Sequence, residues 1–253
     1  MPFDVQRFHT LCGARDPRLS YQAQTGSTND DALKGARAGA AHGSVFLADE
    51  QTAGRGRRGH SWLAAPGESL LFSVLMRPKL EIAHVSALTL AIGLAVRDAV
   101  RPLITATPEL KWPNDLLVGG KKLAGVLVES QLQGAELQAV VMGVGLNVAT
   151  REFPPEISTI ATSLALLGAV RLEREPLLLA LLDAIDARVR AYQERGVAGI
   201  LEQLNAVDAL RGKRVRVGDA AGIARGLDAQ GCLLIEDENN ELHTVLSGTV
   251  EML

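Results

Sequence analysis

Residues 51–62, QTAGRGRRGHSW, place three arginines among three glycines between two apolar runs, SVFLA at 44–48 and SLLFSVLM at 69–76. Both runs have strand length and β-forming composition, so the segment between them is predicted to be a loop joining two buried strands. Gly54, Gly56 and Gly59 permit positive φ and close approach of the main chain to a ligand, and successive N–H groups in such a turn form an anion-binding concavity. Arg55, Arg57 and Arg58 add permanent charge in the planar geometry that suits phosphate or carboxylate. The loop is either an anion site or a solvated basic turn.

Two nucleotide motifs are nearly spelled here and both fail on context. Gly54, Gly56 and Gly59 satisfy G-x-G-x-x-G, but that fingerprint opens a helix, whereas HSWLAAPGE carries Pro66 and Gly67 and leads into a strand. The phosphate loop needs a lysine where His60 stands. With a net charge of −3, the 253-residue chain is no general binder of nucleic acid or membrane surfaces, so an anion site has to be local. At 47% hydrophobic residues the composition is that of a globular protein, and the length allows one larger domain and one smaller. Cys12 and Cys232 have no metal or redox spacing, and no leader or membrane-length apolar run is visible. The expected compartment is a reducing cytoplasm.

Residues up to about Leu19 give no firm assignment. In TGSTNDDALKGARAGAAHG, Ser27 or Thr28 can cap a helix favoured by Asp30 and Asp31, with Gly39 or Gly43 at its end. Ser27, Thr28 and Asn29 are either a cap or a receptor for a carboxylate or ureido group. Residues 84–100 carry Val85, Leu88, Ile92 and Val96 at helical spacing. ELKWPNDLLV reads as two strand pieces broken at Pro113 and Asn114–Asp115, and KKLAGVLVES as a strand with one of Lys121 and Lys122 inward. LQAVVMGVGLNV is a further strand, in which Gly143 and Gly145 predict close approach of a ligand or backbone.

PPEISTIATSL reads as a loop running into helical spacing, and a clear helix follows with Pro176 in its first turn and Gly196 at its end. Its expected buried stripe is Leu178, Leu181, Leu182, Ile185 and Val189. From about Leu210 the chain breaks into short β-like pieces with the look of a small barrel, Arg214 and Arg216 lying on an exposed strand face.

TGSTN at 25–29 with Gln24, QTAGRGRRGHSW, KWPNDLL at 111–117, KLAGVLVE at 122–129 and GVGLNV at 143–148 together resemble the biotin protein ligases, in order and from about Leu19 onward. The resemblance implies an α+β fold: a class II synthetase-like mixed β-sheet catalytic domain backed by helices, with a small C-terminal SH3-like β-barrel. Its boundaries would be a lead-in at 1–19, the catalytic domain at 20–207 and the barrel at 210–253. The implied reaction activates biotin with ATP to biotinyl-5′-adenylate and pyrophosphate, then passes biotin to a lysine of a carboxylase biotin carrier domain.

By the same resemblance, Lys122, Arg57 and Arg55 would be catalytic. Biotin would be bound by Ser27, Thr28, Asn29, Gln51, Arg55, Gly56, Arg57, Lys122, Gly125, Gly143 and Gly145. ATP and the adenylate would meet Arg57, Arg58, Trp62, Lys111, Asn114, Asp115 and Asn147. Mg²⁺ would be held mainly by ATP phosphates, with no protein ligand assigned. The expected partners are the carrier domain and a second copy paired through the catalytic sheet, with neither DNA nor membrane.

Two departures from the family pattern stand out. No basic residue lies near the C-terminal end, which puts an ATP contact from the small domain in doubt. Only about twenty residues precede the first motif, too few for the helix-turn-helix domain of the repressor members. The alternatives are lipoate ligation and a non-catalytic biotin-binding module; the GRGRRG loop favours biotin over lipoate, and Lys122 with Arg57 favours an enzyme.

Overall fold

A computed structural model describes residues 1–14 and 18–253. Its larger unit is one seven-stranded mixed sheet. The strands are β1 (Leu19–Thr25), β2 (Ser44–Gln51), β3 (Ser69–Met76), β4 (Pro108–Lys111), β5 (Asp115–Val118), β6 (Lys121–Gln133) and β7 (Glu136–Asn147). They lie in the order β1-β2-β3-β7-β6-β5-β4, with β1 and β2 parallel and every other neighbouring pair antiparallel. The parallel pair needs a crossover. It is supplied by α2 (Thr28–Arg37).

Side-chain alternation divides the sheet's two faces between two cores. Leu70, Phe72, Val74 and Met76 of β3, with Val140, Met142, Val144 and Leu146 of β7, point into the main core under α3 (Val85–Val100) and α4 (Arg174–Arg195). Leu75, Ala139 and Val141 point the other way, onto Ala32 and Ala36 of α2. Strand β3 is therefore buried along its whole length, as its unbroken apolar run predicts. Helix α3 is apolar almost all round because the sheet and α4 cover opposite sides of it. Along α4, Leu178, Leu181, Ile185 and Val189 are buried and Leu182 half-buried, and Gly196 at φ 60° ends the helix.

The lead-in is folded where it is described; its residues 15–17 lie outside the described residues. Helix α1 (Val5–Cys12), capped by Asp4, packs on α4 and buries Phe8 and Cys12. The helical spacing expected around 164–172 gives turns instead. Gly168 at φ 82° breaks the pattern, and Ser163 Oγ takes up the Leu166 amide.

A short helix, α5 (Leu201–Ala206), leads to a five-stranded antiparallel sheet of β8 (Arg214–Val217), β9 (Ala220–Leu227), β10 (Leu233–Glu236), β11 (Leu242–Val245) and β12 (Glu251–Met252). The order is β11-β10-β9-β8-β12, and Arg214 and Arg216 face solvent as the alternation predicts. The Trp112 indole donates to Gly231 O at 3.0 Å, and Leu110 exchanges backbone hydrogen bonds with Val207 and Ala209, so the small sheet is tied to the edge strand β4. Among the described residues no helix is long and apolar enough to cross a membrane.

The end of β2, where the Arg-Gly loop begins, is anchored by a buried ion pair. Arg174 Nη1 lies 2.7 Å from Asp49 Oδ1, while Asp49 Oδ2 accepts from the Tyr21 hydroxyl at 2.7 Å and from Phe3 N at 3.3 Å. Burial and the Asp49 carboxylate raise the Tyr21 pKa, keeping its hydroxyl a donor. Asp49→Ala leaves the Arg174 guanidinium buried without its counter-charge, at an expected cost of about 3–5 kcal/mol. Urea unfolding of the variant beside the parent checks this; equal midpoints would remove the pair from the structural framework.

Candidate active site

The sheet face turned toward α2 lacks side chains where three glycines come together. Gly125 of β6 stands opposite Gly145 of β7, and Gly143 stands between Leu127 and Ser73 of its neighbours. This opens a cavity of about 370 Å³, bordered by the N-terminus of α2, the Arg-Gly loop, the β4–β5 turn and residues 248–250 of the small sheet. The glycines are required by what lies over them. A Cβ on Gly143 would overlap Asn29 Oδ1, and one on Gly145 would stand 2.6 Å from the Trp62 ring.

At one end of the cavity the polar groups form a chain. Gln51 Oε1 accepts from Thr28 N at 2.7 Å and from Thr28 Oγ1 at 3.0 Å. Ser73 Oγ lies 2.8 Å from Thr28 Oγ1 and 2.6 Å from Asn29 Oδ1, with one proton to serve both. Asn29 Nδ2 donates to Glu129 Oε2 at 2.7 Å and to Leu127 O at 3.3 Å. Ser27 is the N-cap residue of α2 but makes no capping side-chain bond, and it borders the cavity. Hydroxyl and amide groups are thus fixed by their neighbours, the kind of placed polar set that orients a small ligand.

Cations gather at the other end. Residues 54–62 form a tight hairpin, with Trp62 N donating to Gly54 O at 2.9 Å and Gly56 N to His60 O at 2.6 Å. Arg58 and Gly59 both take positive φ, 53° and 79°, which turns the loop back over the cavity. Arg57 is half-buried there; burial and the neighbouring Arg58 lower its pKa, while Asp115 opposes the shift. Lys122 is the inward lysine of its pair, Lys121 being exposed. Its Nζ lies 2.7 Å from Asp115 Oδ1 and 5.4 Å from the centre of the Trp62 ring. The buried Asp115 Oδ1 has this ammonium as its one close partner. The Arg55 guanidinium is turned to two carboxylates, Glu129 at 2.7 Å and Asp30 at 2.8 Å.

The structure brings nearly all of the sequence-predicted residues to this one cavity: Ser27, Thr28, Asn29, Gln51, Arg55, Gly56, Arg57, Arg58, Trp62, Lys111, Asn114, Asp115, Lys122, Gly125, Gly143 and Gly145 line it. Asn147 stands apart. It is buried, and its amide donates to Thr162 O at 3.0 Å, fixing the strand-like segment that pairs with Lys122. Asn114 both lines the cavity and closes its own turn, donating to Val126 O at 3.1 Å. Trp62 lies on the glycine pair, its Nε1 buried without a partner.

Sequence reasoning overlooked Ser73 and Glu129. A lone hydroxyl in the middle of SLLFSVLM was the available signal for the first, and the charge ending the apolar strand KLAGVLVE for the second. The small domain, expected to lack a basic contact, borders the cavity through Gly248, Thr249 and Val250 instead.

A sheet floor of glycines, a cluster of hydroxyl and amide groups and a cationic loop make a cavity with the chemistry to receive an anionic ligand. Residues 21–147 match the biotin/lipoate A/B protein ligase family and residues 212–253 match the biotin protein ligase C-terminal domain. The chain belongs to the biotin/lipoate A/B protein ligase family. It is 40% identical over 229 residues to the biotin--[acetyl-CoA-carboxylase] ligase of Mycobacterium tuberculosis, covering 87% of this chain and 83% of the relative. It is 32% identical to the bifunctional ligase/repressor BirA of Bacillus subtilis, covering 97% and 77%. Among solved structures, the biotin protein ligase from Aquifex aeolicus in complex with biotin and ATP superposes with a TM-score of 0.81 at 30% identity, covering 94% and 99%.

The close contact at Gly143 gives a test of the cavity's construction. Gly143→Ala drives a methyl into Asn29 and is expected to cost about 1–3 kcal/mol. Gly26→Ala, where a Cβ meets nothing within 4 Å, should be neutral or slightly stabilising. Chemical denaturation of the two variants reads the difference, and equal stabilities would show that Asn29 does not rest on Gly143.

Proposed function

We propose that this cavity joins biotin to ATP and then to a carrier lysine, with the polar end holding the biotin rings and the cationic end holding carboxylate and phosphate. The chain is an ATP-dependent biotin protein ligase, and a biotin carrier protein is its acceptor. The observation that carries the site assignment is the convergence of Arg57 and Lys122 on the cavity whose other end is the Thr28–Asn29–Gln51 receptor. In the first step a carboxylate oxygen of biotin bonds to the α-phosphorus of ATP. The bond to the β-phosphate bridging oxygen breaks, and pyrophosphate leaves with the electron pair.

Both reactants are anions, and the chain's part is to neutralise and align them. Lys122, a compact point charge, is placed for the carboxylate and the transferring phosphoryl oxygens; Arg57, held half-buried, is placed for the phosphate. Such preorganised charge and positioning lower the barrier without reorganisation at the moment of reaction. The mixed anhydride is itself the activated species, so no protein nucleophile is needed. In the second step the neutral ε-amine of the carrier lysine bonds to the acyl carbon, AMP leaves with the C–O electron pair, and the amine's surplus proton passes to solvent.

The Asp115 carboxylate, beside Asn114 on the cavity wall, is the group that would help hold a Mg²⁺ carried in mainly by ATP phosphates, in exchange for its contact with Lys122. When bound, the ion would neutralise phosphate charge. The hairpin at 54–62, held by few backbone bonds, shields the adenylate from water between the steps.

Lys122→Ala and Arg57→Ala are each expected to lower biotin-dependent exchange of labelled pyrophosphate into ATP by about 10²–10³. Gly56→Ala, whose Cβ would crowd His60 O at 3.2 Å, should instead increase release of the adenylate. Unchanged exchange in the charge variants would take both cations out of the chemistry; exchange with lipoate in place of biotin would move the substrate assignment.

The cytoplasm is the compartment that supplies ATP and carboxylase carriers, and a net charge of −3 fits a ligase without a role on DNA. Strand β1, at the open edge of the large sheet with mostly exposed residues, suits pairing with a second copy through that sheet. Sedimentation of the purified chain with and without biotin and ATP tests this: a dimer that Ala23→Pro, at an exposed position of β1, abolishes supports edge pairing, and a monomer throughout sinks it.

A further inference from the structure

The ligand-facing network contains one anion that the two-step reaction leaves unused. Glu129, near the middle of β6, points from the cavity face of the sheet, and its Oε2 is shared at 2.7 Å by Asn29 Nδ2 and at 2.7 Å by Arg55 Nη2. We propose that Glu129 is a positioning residue: it fixes the donor and acceptor pattern of the biotin receptor and, through Arg55, ties the Arg-Gly loop to that receptor. The proposal rests on the reading of Thr28, Asn29 and Gln51 as the biotin receptor.

An ionised carboxylate only accepts, so Asn29 has to present its NH₂ to Glu129. Its Oδ1 is then fixed over Gly143, where it takes the single proton of Ser73 at 2.6 Å. Thr28, 2.8 Å from Ser73 Oγ, is left with its own proton for Ser73 or for Gln51 Oε1. Gln51 Oε1 is already committed to Thr28 N at 2.7 Å, which leaves its NH₂ on the other side, toward Gly54. Glu129 thus orients the Asn29 amide and, through its Oδ1, the Ser73 hydroxyl, while the Thr28 backbone N–H orients the Gln51 amide.

The second contact differs in strength. Asn29 is buried, whereas the Arg55 and Asp30 side chains are 39% and 45% exposed. The amide bond to Glu129 is therefore the durable one and the ion pair to Arg55 the one that opens readily in water. Glu129 acts as a fixed post to which the loop is moored and from which it is released.

Three variants separate the two contacts. Glu129→Gln keeps an acceptor for Asn29 but removes the charge; Glu129→Ala removes both; Arg55→Met removes the loop's contacts to both Glu129 and Asp30. With circular dichroism confirming the folded state, KM for biotin, kcat of pyrophosphate exchange and the rate of adenylate release are measured for each, with Thr28→Val as the receptor control. Glu129→Ala is expected to raise KM for biotin roughly tenfold or more, as for a lost hydrogen bond to a charged group. Exchange kcat should change little, and adenylate release should rise. Glu129→Gln should recover most of the biotin KM while keeping the fast release, and Arg55→Met should share the fast release. A Glu129→Ala protein with parental KM and release, while Thr28→Val raises KM, overturns the proposal and leaves the receptor reading standing. Parental KM in both overturns the receptor reading itself.

Discussion

Everything at this site depends on three side chains that are missing. Gly125, Gly143 and Gly145 remove the layer that would otherwise fill the face of β6 and β7, and the helix N-terminus and the loop then lean into the space. Because strand faces alternate, the same strands keep Val126, Val144 and Leu146 in the main core while opening a cavity on the other side. The rigidity of the receptor is therefore borrowed from the best-packed part of the molecule. Asn29 and Ser73 are held where a core would ordinarily allow no polar group, and each finds its partner in the other.

The cations are arranged by the same economy. A site built to bring two anions together carries surplus positive charge before they arrive, and that charge repels itself. Here Lys122 rests on Asp115, and Arg55 rests on Asp30 and Glu129. Arg57 lies beside Arg58; burial and this neighbour lower its pKa, and the Asp115 carboxylate offsets them in part. An entering carboxylate or phosphate relieves that repulsion directly, whereas at Lys122 it has to compete with a carboxylate already present. The ion pairs thus set which cation is free to attract and which has to be won.

Much of this was legible because it rests on local rules. The loop between two apolar runs, the strand with Gly143 and Gly145, the helix from Arg174 to Gly196 and the turn at Asn114–Asp115 each follow from composition over a few residues. Ser73 and Glu129 were not legible in that way. Their significance lies in register: Ser73 faces Gly143 across the β3–β7 ladder, and Glu129 meets Asn29 from 100 residues away. The same limit applies to Asn147, whose motif suggested a ligand contact but whose amide turns to Thr162 on a neighbouring segment. The segment after Ile160 kept a helical rhythm that Gly168 and the Ser163 hydroxyl override.

The small sheet takes part in the site by position rather than by charge. Trp112 precedes the turn that carries Asn114 and Asp115, and its indole is pinned to Gly231 across the junction. The segment at 207–209 continues the large sheet beyond β4. Residues 248–250 then reach the rim of the cavity near the Arg-Gly loop. A rim shared in this way links the placement of the Asp115 turn to the packing of the small sheet against the edge of the large one. Among the described lining residues the small domain offers the uncharged Gly248, Thr249 and Val250, while the cations come from the loop, Lys111 and Lys122.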